Sequence, residues 1–157
     1  MTNATTMGSQ AGPDWRSDTA VAYAILRLTF GVNLCFRGVV RITVNGLDQF
    51  AAGLTAQFEP TWIPAIAVST FGHVIPIVET LMGLALILGL FTRPALIVGG
   101  LMMTSLTFGT MFLQNFDLAW LQLTYALAFF IMLATRSWNV ISLDNAWFPS
   151  SSGRGNT

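Results

Sequence analysis

The chain has 157 residues, 54% of them hydrophobic and 9% charged, with a mean hydropathy of +0.64. Soluble domains carry roughly 25% charged residues, and soluble bundles show polar faces rich in Lys and Glu; this chain has no lysine and a formal net charge of zero, which argues against a soluble bundle and leaves no basic footprint for nucleic acid. Cys35 is the only cysteine and His73 the only histidine, so an internal disulfide, a multi-cysteine zinc site, a cysteine-held iron–sulfur cluster and two-histidine haem ligation within one subunit are excluded.

Four apolar blocks follow one another, each near the ~20 residues that cross hydrocarbon. Residues 1–18, "MTNATTMGSQAGPDWRSD", lack the basic and apolar regions of a signal peptide and read as a flexible tail. The first span is predicted at 19–44. In the joint from 45 to 63, Leu47, Phe50, Leu54 and Phe58 recur at helical intervals, which predicts a short amphipathic helix at the interface. Span two covers 64–90. The joint "TRP", residues 92–94, sets a proline in the first turn of span three, 95–112. Span four covers 118–134, and 136–157 reads as an interfacial segment running into a Ser/Gly-rich disordered tail. The expected fold is an all-α integral membrane four-helix bundle.

Orientation follows from arginine in the joints. Arg16, Arg93, Arg136 and Arg154 fall on one side, whereas the other two joints carry Asp48, Glu59 and Asp117, with Arg41 at the end of span one. The positive-inside rule then places both termini in the cytoplasm. Trp15, Trp62, Trp120 and Trp138 lie at or just outside the span ends, where amphipathic rings collect.

The charged residues inside the spans carry the functional argument. On an ideal helix Arg41 lies about 40° and Arg37 about 80° from Arg27, so the three form one stripe of span one. Glu79 sits near the middle of span two at a depth expected between those of Arg27 and Arg37, and either could pair with it. A charge at mid-helix costs roughly 2.5–3.5 kcal/mol on insertion scales. Two readings therefore compete: the Arg/Glu set fixes helix register, or it forms a polar pocket for a small anionic or quinone-like molecule, with Glu79 or His73 exchanging protons. Polar side chains of Thr104, Ser105, Thr107, Thr110, Gln114, Gln122, Thr124 and Tyr125 would complete such an interior. Cys35, the methionines at 82, 102, 103, 111 and 132, and the glycines at 99, 100 and 109 read as packing residues.

The stretches "LRLTFGVNLCFRGVVRI" and "PIVETLMGLALILGLFTRPALIVGG", the four spans in a short chain and "SLD" after the last span together resemble the DoxX family of small bacterial and archaeal membrane proteins. On that resemblance Glu79, Gly83, Gly89 and Arg93 match the family pattern, and Arg27 matches the arginine opening the first span. Arg37 and Arg41 depart from the family's G-x-x-K ending, and the loops carry no thiosulfate-oxidising signature. The resemblance implies a multi-pass protein of the bacterial or archaeal cytoplasmic membrane, associated with respiratory or redox complexes. The first hypothesis is a quinone-linked oxidoreductase subunit with catalytic Glu79 and His73 and ligand-binding Arg27, Arg37, Glu79 and Arg93. No cofactor is expected on this chain alone other than quinone, so the partners are the lipid bilayer and a redox-active subunit. The alternatives are a non-catalytic anchor subunit of a larger membrane complex and, more weakly, a small-solute permeation protein.

Overall fold

The computed structural model describes residues 16–144. The flexible tail expected at 1–18 and the disordered end expected within 136–157 fall mostly outside the described residues. Within them the chain is helical and without strands: α1 (Asp18–Thr43), α2 (Leu47–Phe58), α3 (Ala65–Leu88), α4 (Thr92–Phe112), α5 (Phe116–Ala134) and a single 3-10 turn, Arg136–Trp138. By length and composition α1, α3, α4 and α5 can each cross a membrane. At 1.5 Å per residue the shortest, α5, is about 28 Å long, close to the ~30 Å of hydrocarbon.

Local signals set the helix ends. The Ser17 hydroxyl accepts the Ala20 N–H at 3.3 Å and the Asn115 side chain accepts the Leu118 N–H at 3.1 Å, capping α1 and α5. α3 stops at Gly89, whose φ of +64° admits the left-handed turn that closes with Leu90 N–H donating to Ala85 O.

α1 and α3 run antiparallel in contact along most of α1. A side chain at Gly38 would run into Pro76 and Thr80, one at Gly83 into Cys35, and one at Gly31 into Ile87, so small residues let the two backbones approach closely. α3 continues beyond the end of α1, and there Gly72 faces Ala51 of α2. α1 and α2 thus cover successive halves of α3. α4 and α5 form the second pair, with Gly99 against the Phe129 ring. The buried core runs between the pairs through Leu34, Met82, Leu86, Leu96, Met103, Phe129 and Met132. Large apolar side chains such as Ile25, Phe36, Leu81, Leu101 and Phe130 point outward, the arrangement of a bundle solvated by lipid rather than water. The protein is an all-α four-helix membrane bundle.

Candidate functional site

The α1/α3 register decides which arginine meets Glu79. Glu79 is fully buried and accepts a hydrogen bond from Arg41 Nη1 through Oε2, while Arg37 Nη2 stands 3.6 Å from Oε1. Oε1 itself accepts no hydrogen bond. Arg37 and Arg41 are one helical turn apart on α1 and grip the carboxylate from one side. Their rings of contact extend further: the Arg41 guanidinium lies 4.7 Å from the centre of Phe50, and that of Arg37 lies 5.6 Å from the centre of Tyr125, both within cation–π range.

Beside this triad opens a cavity of about 710 Å³, within the ~300–1,000 Å³ typical of small-molecule sites. Its walls are mostly apolar, formed by Phe50, Leu54 and Phe58 of α2, Phe71 and Ile75 of α3, and Leu106 and Phe108 of α4. Polar groups enter at defined points: Arg37 and Arg41 from α1, Gln57 from α2, Thr104 and Ser105 from α4, and the Thr110–Gln122 pair, hydrogen-bonded at 2.9 Å across α4 and α5. Glu79 is absent from the lining and lies behind the two arginines. Arg37 is one-third exposed and makes no hydrogen bond among the described residues, so its donors face the cavity uncommitted.

Arg27 does not join this site. Fourteen residues separate it from Arg41, about 21 Å along α1, and it lies beside Gly89 at the other end of the bundle. It is 4% exposed and donates from Nη2 to Ile141 O at 2.9 Å. Its Nε and Nη1 have no hydrogen-bond partner among the described residues, nor has the Tyr23 hydroxyl. The expected depth of Glu79 between Arg27 and Arg37 is corrected to a level between Arg37 and Arg41, because α2 fills the joint and shifts α3 along α1. Arg93 is exposed in the first turn of α4, away from the cavity. His73 faces α2: one ring nitrogen lies 2.8 Å from Ser69 O and the other 3.0 Å from the exposed Asp48 carboxylate. It does not line the cavity.

A family model described as DoxX matches residues 22–116. The chain belongs to the DoxX family. Comparison with curated proteins and with solved structures returned no significant match. The DoxX match takes in Arg27, Arg37, Arg41, His73, Glu79 and Arg93, hence the whole Arg/Glu triad, but stops at the start of α5, short of Gln122.

Two contributions of this DoxX chain escape sequence reasoning. Arg41, visible as part of the stripe, is the principal partner of Glu79; its spacing from Arg37 was the available signal. Asp144, in the "SLD" stretch, accepts the Phe91 and Thr92 N–H groups at 2.7 and 2.8 Å, and its own N–H donates to Gly89 O at 2.9 Å. It thereby caps α4 and folds the segment after α5 onto the α3/α4 turn, a contact between positions too far apart in sequence for periodicity to signal.

Proposed function

We propose that this multi-pass DoxX-family protein is a membrane subunit of a respiratory or redox complex that holds quinone in the cavity beside Arg37, Arg41 and Glu79. The observation that supports the reading is an apolar cavity reaching a pair of arginines, of which Arg37 makes no hydrogen bond among the described residues. Apolar walls suit a lipophilic tail, and guanidinium N–H groups are strong donors to carbonyl oxygen. Arg37 and Arg41 orient the head group; Glu79 holds both arginines in place and touches the ligand only through them. When bound, quinone supplies the two-electron, two-proton chemistry that no side chain of this chain provides. Having one cysteine and one histidine, the chain relies on a partner bearing flavin, haem or thiols for electron delivery. The end bearing Arg16, Arg93 and Arg136 faces the cytoplasm of a bacterial or archaeal cell on this reading. His73, pointing at Asp48, is left outside the ligand's reach.

The test is quinone-linked turnover of the complex purified from native membranes. Arg37→Gln, with assembly verified, lowers turnover about tenfold, the loss of one charge-assisted hydrogen bond; unchanged turnover overturns the proposal. The competing reading, an anchor subunit whose charges only fix helix register, is favoured by the paucity of redox-capable side chains in the sequence. It requires the complex to retain full turnover when the Arg/Glu set is neutralised.

A further inference from the structure

The charge count at the polar end of the cavity specifies the ligand further. Two cationic guanidinium groups converge on one carboxylate that is fully buried. Among the described residues the cavity lining includes no acid and no base besides the two arginines. The triad therefore carries one uncompensated positive charge at the edge of an apolar space. Such a charge is costly in a low-dielectric setting, and an opposite charge brought against it is correspondingly favoured.

The excess falls on Arg37. Arg41 is engaged by direct hydrogen bonding to Glu79 and stands over the Phe50 ring. Arg37 has only its 3.6 Å approach to Glu79 and the Tyr125 ring at 5.6 Å, and it donates no hydrogen bond among the described residues. A planar guanidinium with free donors matches a carboxylate in a bidentate fork. A neutral carbonyl head satisfies a donor but leaves the charge; a dianion overcompensates it.

We propose that the site selects a monoanionic head group, and that its occupant is a single-chain acid such as a long-chain carboxylate, bound as the anion at Arg37 with its chain among Phe50, Leu54, Phe71 and Phe108. This rests on the reading above only in placing the head of a lipophilic molecule at the arginines; it names a second ligand class, one that competes with quinone for the same cavity.

The experiment uses the full chain in nanodiscs, with empty nanodiscs as background, and three probes at mildly alkaline pH: oleate, oleyl alcohol and a neutral short-tailed quinone. In the wild type oleate binds about tenfold more tightly than oleyl alcohol, the effect of one charge-assisted contact. Arg37→Lys keeps most of that ratio, and Arg37→Gln brings it close to one. A wild-type ratio near one overturns the proposal, as does a ratio that Arg37→Gln leaves unchanged. Should Arg37→Gln not fold, the wild-type ratio decides alone. The two readings fail separately. Quinone and alcohol binding as well as oleate removes charge selection and leaves the quinone site standing. Oleate binding without quinone binding removes the quinone site and leaves charge selection. Failure of all three probes to bind removes both.

Discussion

The two ends of α1 both carry arginine, yet they treat it differently. At the Arg27 end the guanidinium is 4% exposed, packed against Gly89 and tied to the carbonyl of Ile141, with no ion pair to a carboxylate among the described residues. At the Arg37/Arg41 end a buried carboxylate is shared between two arginines that border a cavity of about 710 Å³. The first arginine is enclosed by the protein's own backbone and fastens the segment after α5 to the bundle. The second pair keeps donors pointing into open space. Residue type alone does not separate architecture from binding; what surrounds the unspent hydrogen-bonding capacity does.

The largest effect expected from breaking this contrast comes from Glu79. Glu79→Ala leaves two arginines without their counter-charge and lowers unfolding stability in detergent by about 3–5 kcal/mol. Replacing Arg37, Arg41 and Glu79 together by Leu recovers most of that stability, because the pairing and the desolvation cost vanish together. An unaltered thermal midpoint in Glu79→Ala would show that the triad is not paired as described. Gly89→Ala comes next. It forces a side chain into a φ of +64° and against Arg27, at about 2 kcal/mol, while affinity at the distant cavity stays the same. Asp144→Ala removes the acceptor from two backbone N–H groups of the α4 start. It costs about 1 kcal/mol, the usual value of a helix cap, and hydrogen exchange at Phe91 and Thr92 speeds up. The smallest effect belongs to His73→Ala: its partner Asp48 is fully exposed, so quinone-linked turnover and thermal midpoint stay at wild-type values.

The membrane bundle was legible in the sequence because apolar blocks of spanning length separated by short joints leave few other folds. The amphipathic recurrence of Leu47, Phe50, Leu54 and Phe58 likewise announced α2. The α1/α3 register was not legible. It depends on Gly38 and Gly83 letting two backbones touch and on α2 occupying the first half of α3, and both are tertiary facts with no periodic signature. That register set aside Arg27 of the two expected partners of Glu79, kept Arg37 at 3.6 Å and brought in Arg41 as the hydrogen-bonded one. The cavity was equally hidden, since its walls come from every helix, α1 to α5. The polar residues expected to complete an interior were a mixed set for the same reason: Thr104, Ser105, Thr110 and Gln122 line the cavity, whereas Thr107, Gln114, Thr124 and Tyr125 do not.

The central claim is that ligand binds at the Arg37/Arg41 end of α1 and not at the Arg27 end. Photolabelling of the full chain with an azido-quinone, followed by peptide mapping, tests it directly. The account predicts adducts on the cavity faces of α2 and α4, around Leu54 and Phe108, that disappear in Ala67→Trp, where an indole enters the cavity from α3. Adducts concentrated around Arg27, Gly89 and Ile141, or labelling of α2 and α4 that Ala67→Trp leaves intact, would contradict it.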